Sequence, residues 1–222
     1  SRVNVPLQED LDLTPTKLFP TRRQVDQVNN KEMTKLICNG KSFQMKFTPD
    51  KNVDEEECLK LLKFSCKNIA VPETIFLKVG SQVMNVVNME TGRGNRLVNG
   101  SLGIVTGFQE TTGLPIVKFN EGFEEAIKPY TWVNEINQNM SVSQIPLILA
   151  WALTIHKAQG TTLDMAEINI GKDIFEVGQT YVALSRVKSI EGIYLKDFDP
   201  SKIKIHNKVK NFYSNLQTLS PC

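Results

Sequence analysis

The sequence predicts an α/β fold, a parallel sheet with flanking helices, into which a small antiparallel β-barrel is inserted. Three observations predict it. Residues 147–153, Leu-Ile-Leu-Ala-Trp-Ala-Leu, are continuously apolar over the length of a strand covered on both faces, as strands of parallel sheets are. That run ends abruptly in Thr154, His156, Lys157, Gln159 and Gly160, and ligands of such sheets sit beyond the carboxyl ends of the strands. From Leu77 to Phe119, short apolar runs alternate with Thr91-Gly92-Arg93-Gly94, Asn99-Gly100 and Thr111-Thr112-Gly113, the texture of an antiparallel barrel.

Taken in order, residues 1–15 are polar, with Pro6, Pro15 and three acids, and read as a linker or tail. A short strand at Lys17 to Phe19 is stopped by Pro20. Thr21 then caps a helix, and Gln24 completes a capping-box pattern. Val25, Val28 and Leu36 share one side of that helix. Its first N–H groups, with Arg22 and Arg23 beside them, form either a phosphate-binding corner or an ordinary solvated helix start. Phe43, Met45 and Phe47 alternate as in a half-buried strand. Asp54 to Phe64 is helical, with Cys58, Leu61 and Leu62 inward and an acidic first turn. After the glycine-punctuated stretch, where Arg93 and Arg96 stand at a hairpin tip open to DNA or to plain solvent, buried strands recur at Met165 to Ile170 and Ile193 to Leu195. A helix over 178–187 places Gln179, Ala183 and Arg186 on one face at about 100° per residue. Val177, Tyr181 and Leu184 fall opposite, as its anchor. Val209, Phe212, Tyr213 and Leu216 predict a C-terminal packing helix, with Lys202, Lys204, Lys208 and Lys210 on a solvated face or, alternatively, on DNA.

Composition narrows the function classes. The net charge over 222 residues is only +2, so any basic surface is local. No apolar run approaches a membrane span and no signal peptide is present, which predicts a soluble, intracellular protein without a membrane partner. Cys38, Cys58, Cys66 and Cys222 include no C-x-x-C pair, and only His156 and His206 could join them; no metal site is expected. Two strings imitate nucleotide chemistry. Gly40-Lys41-Ser42 matches the end of a P-loop, but Lys35 stands where its first glycine belongs. Asp54-Glu55-Glu56-Glu57 matches an acidic magnesium motif, but no apolar strand precedes it.

Singly, His156 is more readily a structural histidine than a ligand. In context, Thr154-Ile155-His156-Lys157-Ala158-Gln159-Gly160 followed by Thr161-Thr162-Leu163-Asp164 resembles the fifth motif of superfamily I DNA helicases of the Pif-type branch. Gly178-Gln179-Thr180-Tyr181-Val182-Ala183-Leu184-Ser185-Arg186 is similar to the sixth motif, and residues 18–29 to the fourth. Residues 77–85 and 97–105 resemble the Src-homology-3-like insertion of the second motor domain.

The resemblance implies a RecA-like motor domain at 16–77 and 141–222 interrupted by a barrel at 78–140. It implies Arg186 as the catalytic arginine finger, Gln159, Gly160, Gln179 and Arg186 on ATP, and Thr21, Arg22, Asn29, Thr154, His156 and Lys157 on DNA. Thr162, where RecD-type enzymes often carry glutamate, favours the Pif-type branch and 5′-to-3′ movement. ATP with Mg²⁺ would be bound mainly by a first motor domain that these residues lack, and the partners would be that domain, single-stranded DNA and duplex junctions. The chain is then the C-terminal half of an ATP-dependent helicase, inactive by itself. The alternatives are a RecD-type helicase or helicase-relaxase half, and a non-catalytic nucleic-acid-binding module.

Overall fold

The apolar run at 147–153 does not form one strand. Leu147–Leu149 pairs antiparallel with Gln82–Asn85, and after two residues Ala152–Thr154 joins a different sheet. Ala150 N still donates to Gln82 O at 2.9 Å, whereas Ala152 N and O are held by the Asn29 side chain. Both halves are buried, so hydrophobicity stays continuous while the partner changes. The computed structural model describes residues 3, 4, 13–92, 94–171, 174 and 177–216, which divide into two compact units.

One unit comprises the described residues among 1–11, 15–25 and 153–222. Its sheet has the order Ala152–Thr154, Thr16–Phe19, Ala166–Asn169, Ile193–Lys196. Thr16–Phe19 runs parallel to Ala166–Asn169, with Leu18 opposite Ile168, and Ala166–Asn169 runs parallel to Ile193–Lys196. The fold is therefore α/β with a parallel sheet. Leu18, Leu153, Leu163 and Ile168 are buried in it, at roughly 1.5–3 kcal/mol each relative to exposure.

The other unit comprises 12–14 and 26–152. A five-stranded antiparallel sheet has the order Glu124–Ala126, Pro115–Phe119, Leu102–Phe108, Gln82–Asn85, Leu147–Leu149. Its inward residues Val83, Val105, Val117, Phe119 and Leu147 pack with Ile75, Leu77, Leu97 and Ile145. A three-stranded sheet joins Tyr130–Val133, Ser141–Gln144 and Lys46–Thr48. The strand predicted at 43–47 is broken at Met45, whose N donates to Glu73 O: Gly40–Gln44 pairs with Thr74–Lys78, and Phe47, beyond the break, is exposed. Gln144, buried, ties these pieces together by donating to Phe43 O, Pro72 O and Glu73 O.

Asp54 caps the helix Glu55–Asn68 by accepting from Glu56 N at 3.1 Å. The acidic string is thus a helix start. The C-terminal helix, Asn207–Ser214, is present, but Val209, Phe212, Tyr213 and Leu216 are all exposed. Helical spacing defined an apolar face; it could not say what covers it. Among the described residues no helix is long and apolar enough to cross a membrane.

Candidate functional site

Thr154 closes its strand and opens a tight turn. Its Oγ1 accepts from Lys157 N at 3.1 Å, its carbonyl from Ala158 N at 3.0 Å, and His156 O from Gln159 N at 3.1 Å. Thr154 is itself buried, so its hydroxyl shapes the turn while His156 and Lys157 project from it. Gly160 ends the turn at φ +77, with open space where a Cβ would stand. Only the backbone requires glycine there.

Pro20 and Arg22, following the neighbouring Thr16–Phe19 strand, meet Thr154, His156 and Lys157 around a cavity of about 340 Å³. Two permanent cations and an imidazole line it with no carboxylate among them. Such a set suits a phosphate backbone. Thr21 does not line this cavity: its Oγ1 donates to Gln24 Oε1 at 2.7 Å, a side-chain link at the start of the Arg22–Lys35 helix. Gln159 and Gly160, on the far side of the turn, do not line it either.

Asn29 differs from expectation. Its Nδ2 donates to Ala152 O at 3.1 Å and its Oδ1 accepts from Ala152 N at 2.9 Å, within the interior. Its amide completes a strand edge that lacks a backbone partner, and this use turns it away from any ligand.

The helix of the sixth motif is shorter than predicted, Gln179–Leu184, and its faces are exchanged. Gln179, Thr180 and Ala183 are buried, whereas Tyr181 is 76% exposed and Val177 49% exposed. The expected anchor is the open face. Spacing divides a helix into two faces, and here the face carrying small and polar residues turned inward. Gln179 Nε2 and Oε1 and Thr180 Oγ1 are buried without a hydrogen-bond partner, an arrangement that costs about 1–3 kcal/mol per group. Thr180 was not foreseen, because no sequence signal marks a hydroxyl that folding leaves unsatisfied.

Arg186 lies just past the helix. Its Nε donates to Val182 O at 3.1 Å, its Nη1 to Thr161 O at 3.4 Å and its Nη2 to Ser185 Oγ at 2.8 Å. Backbone contacts to the other motif, Leu163 N to Arg186 O at 2.8 Å and Lys188 N to Leu163 O at 3.1 Å, hold the two segments together.

No protein-family model matches the chain. Curated relatives do: the mouse protein named ATP-dependent DNA helicase PIF1 is 45% identical over 209 residues, covering 92% of this chain and 30% of that protein. Among solved structures, Pif1 helicase from Candida albicans superposes with a TM-score of 0.75 at 32% identity, covering 96% of this chain and 52% of that one. Pif1 helicase from Bacteroides in complex with ADP-AlF3 and single-stranded DNA gives 0.62 at 26% identity, covering 93% and 47%. The chain thus spans about 30% of the length of the curated relatives it matches. With identity at this level across nearly the whole chain and the same fold, the chain belongs to the Pif1 family of DNA helicases.

Proposed function

We propose that this chain is the second motor half of an ATP-dependent helicase that moves along single-stranded DNA and separates duplexes at junctions. The observation that carries this reading is the cavity lined by Arg22, Thr154, His156 and Lys157 at the end of a sheet strand. In this reading Arg22, His156 and Lys157 meet the DNA backbone, with Thr154 and Thr21 shaping the turn and helix start that present them. Asn29 acts from behind, through Ala152. The relative from Bacteroides crystallised with a nucleotide analogue and single-stranded DNA supports pairing the two ligands.

Gln159, Gly160, Gln179 and Arg186 are assigned to the nucleotide side. The buried, unpartnered amide of Gln179 fits a polar ligand group, and the open space at Gly160 admits close approach of backbone. ATP with Mg²⁺ supplies the phosphoryl chemistry when bound. In this reading the magnesium ion is held mainly by a first motor domain. The domain division that accompanies this reading is a motor domain at 16–77 and 141–222 after a linker or tail at 1–15. The barrel of Src-homology-3 type falls at 78–140, within which most of the five-stranded sheet lies.

Binding of fluorescent single-stranded DNA across a salt series tests the proposal. The parent chain should bind weakly, with affinity falling steeply as salt rises, because each released counterion contributes to the slope. Replacing Arg22, His156 and Lys157 together by alanine should lower the affinity at least about tenfold at low salt and flatten the slope by about two charges. Equal binding by the triple variant would remove DNA from this cavity.

A further inference from the structure

The contacts around Arg186 point beyond its assignment as a finger. A guanidinium has five N–H donors in a fixed plane. Three are engaged, one each from Nε, Nη1 and Nη2, on Val182 O, Thr161 O and Ser185 Oγ. That leaves one N–H on each terminal nitrogen outside these three contacts, available to the oxygens of a phosphoryl group. Two of the three acceptors are backbone carbonyls, fixed by the fold. The third is a side chain. Ser185 Oγ donates its own proton to Val182 O at 3.0 Å, so its oxygen lone pairs face the guanidinium by necessity and not by chance rotation. Val182 O thereby receives both Arg186 Nε and Ser185 Oγ, and the three groups form a closed ring on the exposed end of the Gln179–Leu184 helix.

We propose that Ser185 is a positioning residue for the arginine finger: its oriented hydroxyl sets the plane of the Arg186 guanidinium so that the two remaining N–H groups face a phosphoryl group together. The proposal rests on the reading of Arg186 as a finger. Without Ser185 the two carbonyls still hold Nε and Nη1, but Nη2 loses its partner and the plane can swing. The loss belongs to orientation, not to charge or to folding.

The test measures DNA-stimulated ATPase in the complete enzyme carrying both motor domains. Ser185→Ala should lower kcat about 3- to 30-fold, as expected for one charge-assisted hydrogen bond at an open site, with KM for ATP and melting temperature at parent values. Ser185→Thr, which keeps the hydroxyl, should stay within about twofold of parent. In an Arg186→Ala background, Ser185→Ala should have no further effect, because it acts only through that side chain. If Arg186→Ala lowers turnover by about two decades or more while Ser185→Ala retains the parent kcat, or adds its loss in full to that of Arg186→Ala, the positioning role is wrong and the finger stands. If Arg186→Ala turns over at the parent rate, both fall. If Ser185→Ala and Ser185→Thr lose stability and activity together, Ser185 is structural and the proposal is overturned.

Discussion

Two polar residues of the fourth and fifth motifs, Asn29 and His156, resemble each other on paper as ligands, and the structure separates them by where their polar atoms go. His156 lines a cavity; Asn29 offers both ends of its amide to the backbone of Ala152. A primary amide carries its donor and its acceptor side by side, spaced as they are on a peptide, and so can satisfy the N–H and the C=O of one residue together. Replacing it leaves two buried backbone groups unpaired, at about 1–3 kcal/mol each. Asn29→Ala should therefore destabilise the chain by about 2–4 kcal/mol in denaturant unfolding. Asn29→Asp should recover little, since a carboxylate accepts from Ala152 N but repels Ala152 O. A variant with parent stability and lost DNA affinity would return Asn29 to the ligand role its motif implies.

Among the elements, what was legible followed from local rules. The strand at Thr16–Phe19, the helix begun at Thr21 and the helix capped by Asp54 were readable because proline stops, N-cap side chains and acidic first turns act within a few residues. Three features were not readable, and each depended on a distant partner. The run at 147–153 changes sheets without a change in hydrophobicity, the short helix at 179–184 buries the face that carries Gln179, and the helix at 207–214 shows its apolar side. The cluster around Asp50 belongs to the same class. Its carboxylate accepts from Asn52 N at 3.0 Å, Asn137 Nδ2 at 3.0 Å and Asn139 Nδ2 at 3.1 Å, joining the turn at 50–53 to the loop at 134–140. These donors, the Asn52 backbone N–H first, hold the Asp50 carboxyl below its ordinary value of 3.8. A folded-state value below the unfolded one means that the contribution is complete above about pH 4 and is lost as pH falls through the folded value. Asp50→Ala should lower the melting temperature at neutral pH, and the gap to parent should narrow as pH falls below the ordinary value of 3.8. A gap independent of pH would show that the charge of Asp50 does not matter to this clamp.

For the molecule as a whole, the question is how much of an ATP site these residues contain. The string Gly40-Lys41-Ser42 has the composition of a phosphate-binding loop, but it lies in the strand Gly40–Gln44, with Gly40 opposite Lys78 and Ser42 opposite Phe76. A phosphate cradle needs consecutive N–H groups converging at a loop before a helix; in a strand, successive N–H groups alternate in direction and pair with the neighbouring ladder. A Cβ at Gly40 would also stand 2.5 Å from the Phe76 ring, so this glycine serves close packing. The acidic string nearby caps a helix. Neither can replace the triphosphate and magnesium contacts on which phosphoryl transfer depends. The chain alone should then show no DNA-stimulated phosphate release above background, while the complete enzyme turns over and loses about two decades or more with Arg186→Ala, as removal of an arginine finger does. Clear turnover by the isolated chain on single-stranded DNA, abolished by Arg186→Ala in that same chain, would mean that a full catalytic site resides within these 222 residues and that the assignment of the triphosphate to another domain is wrong.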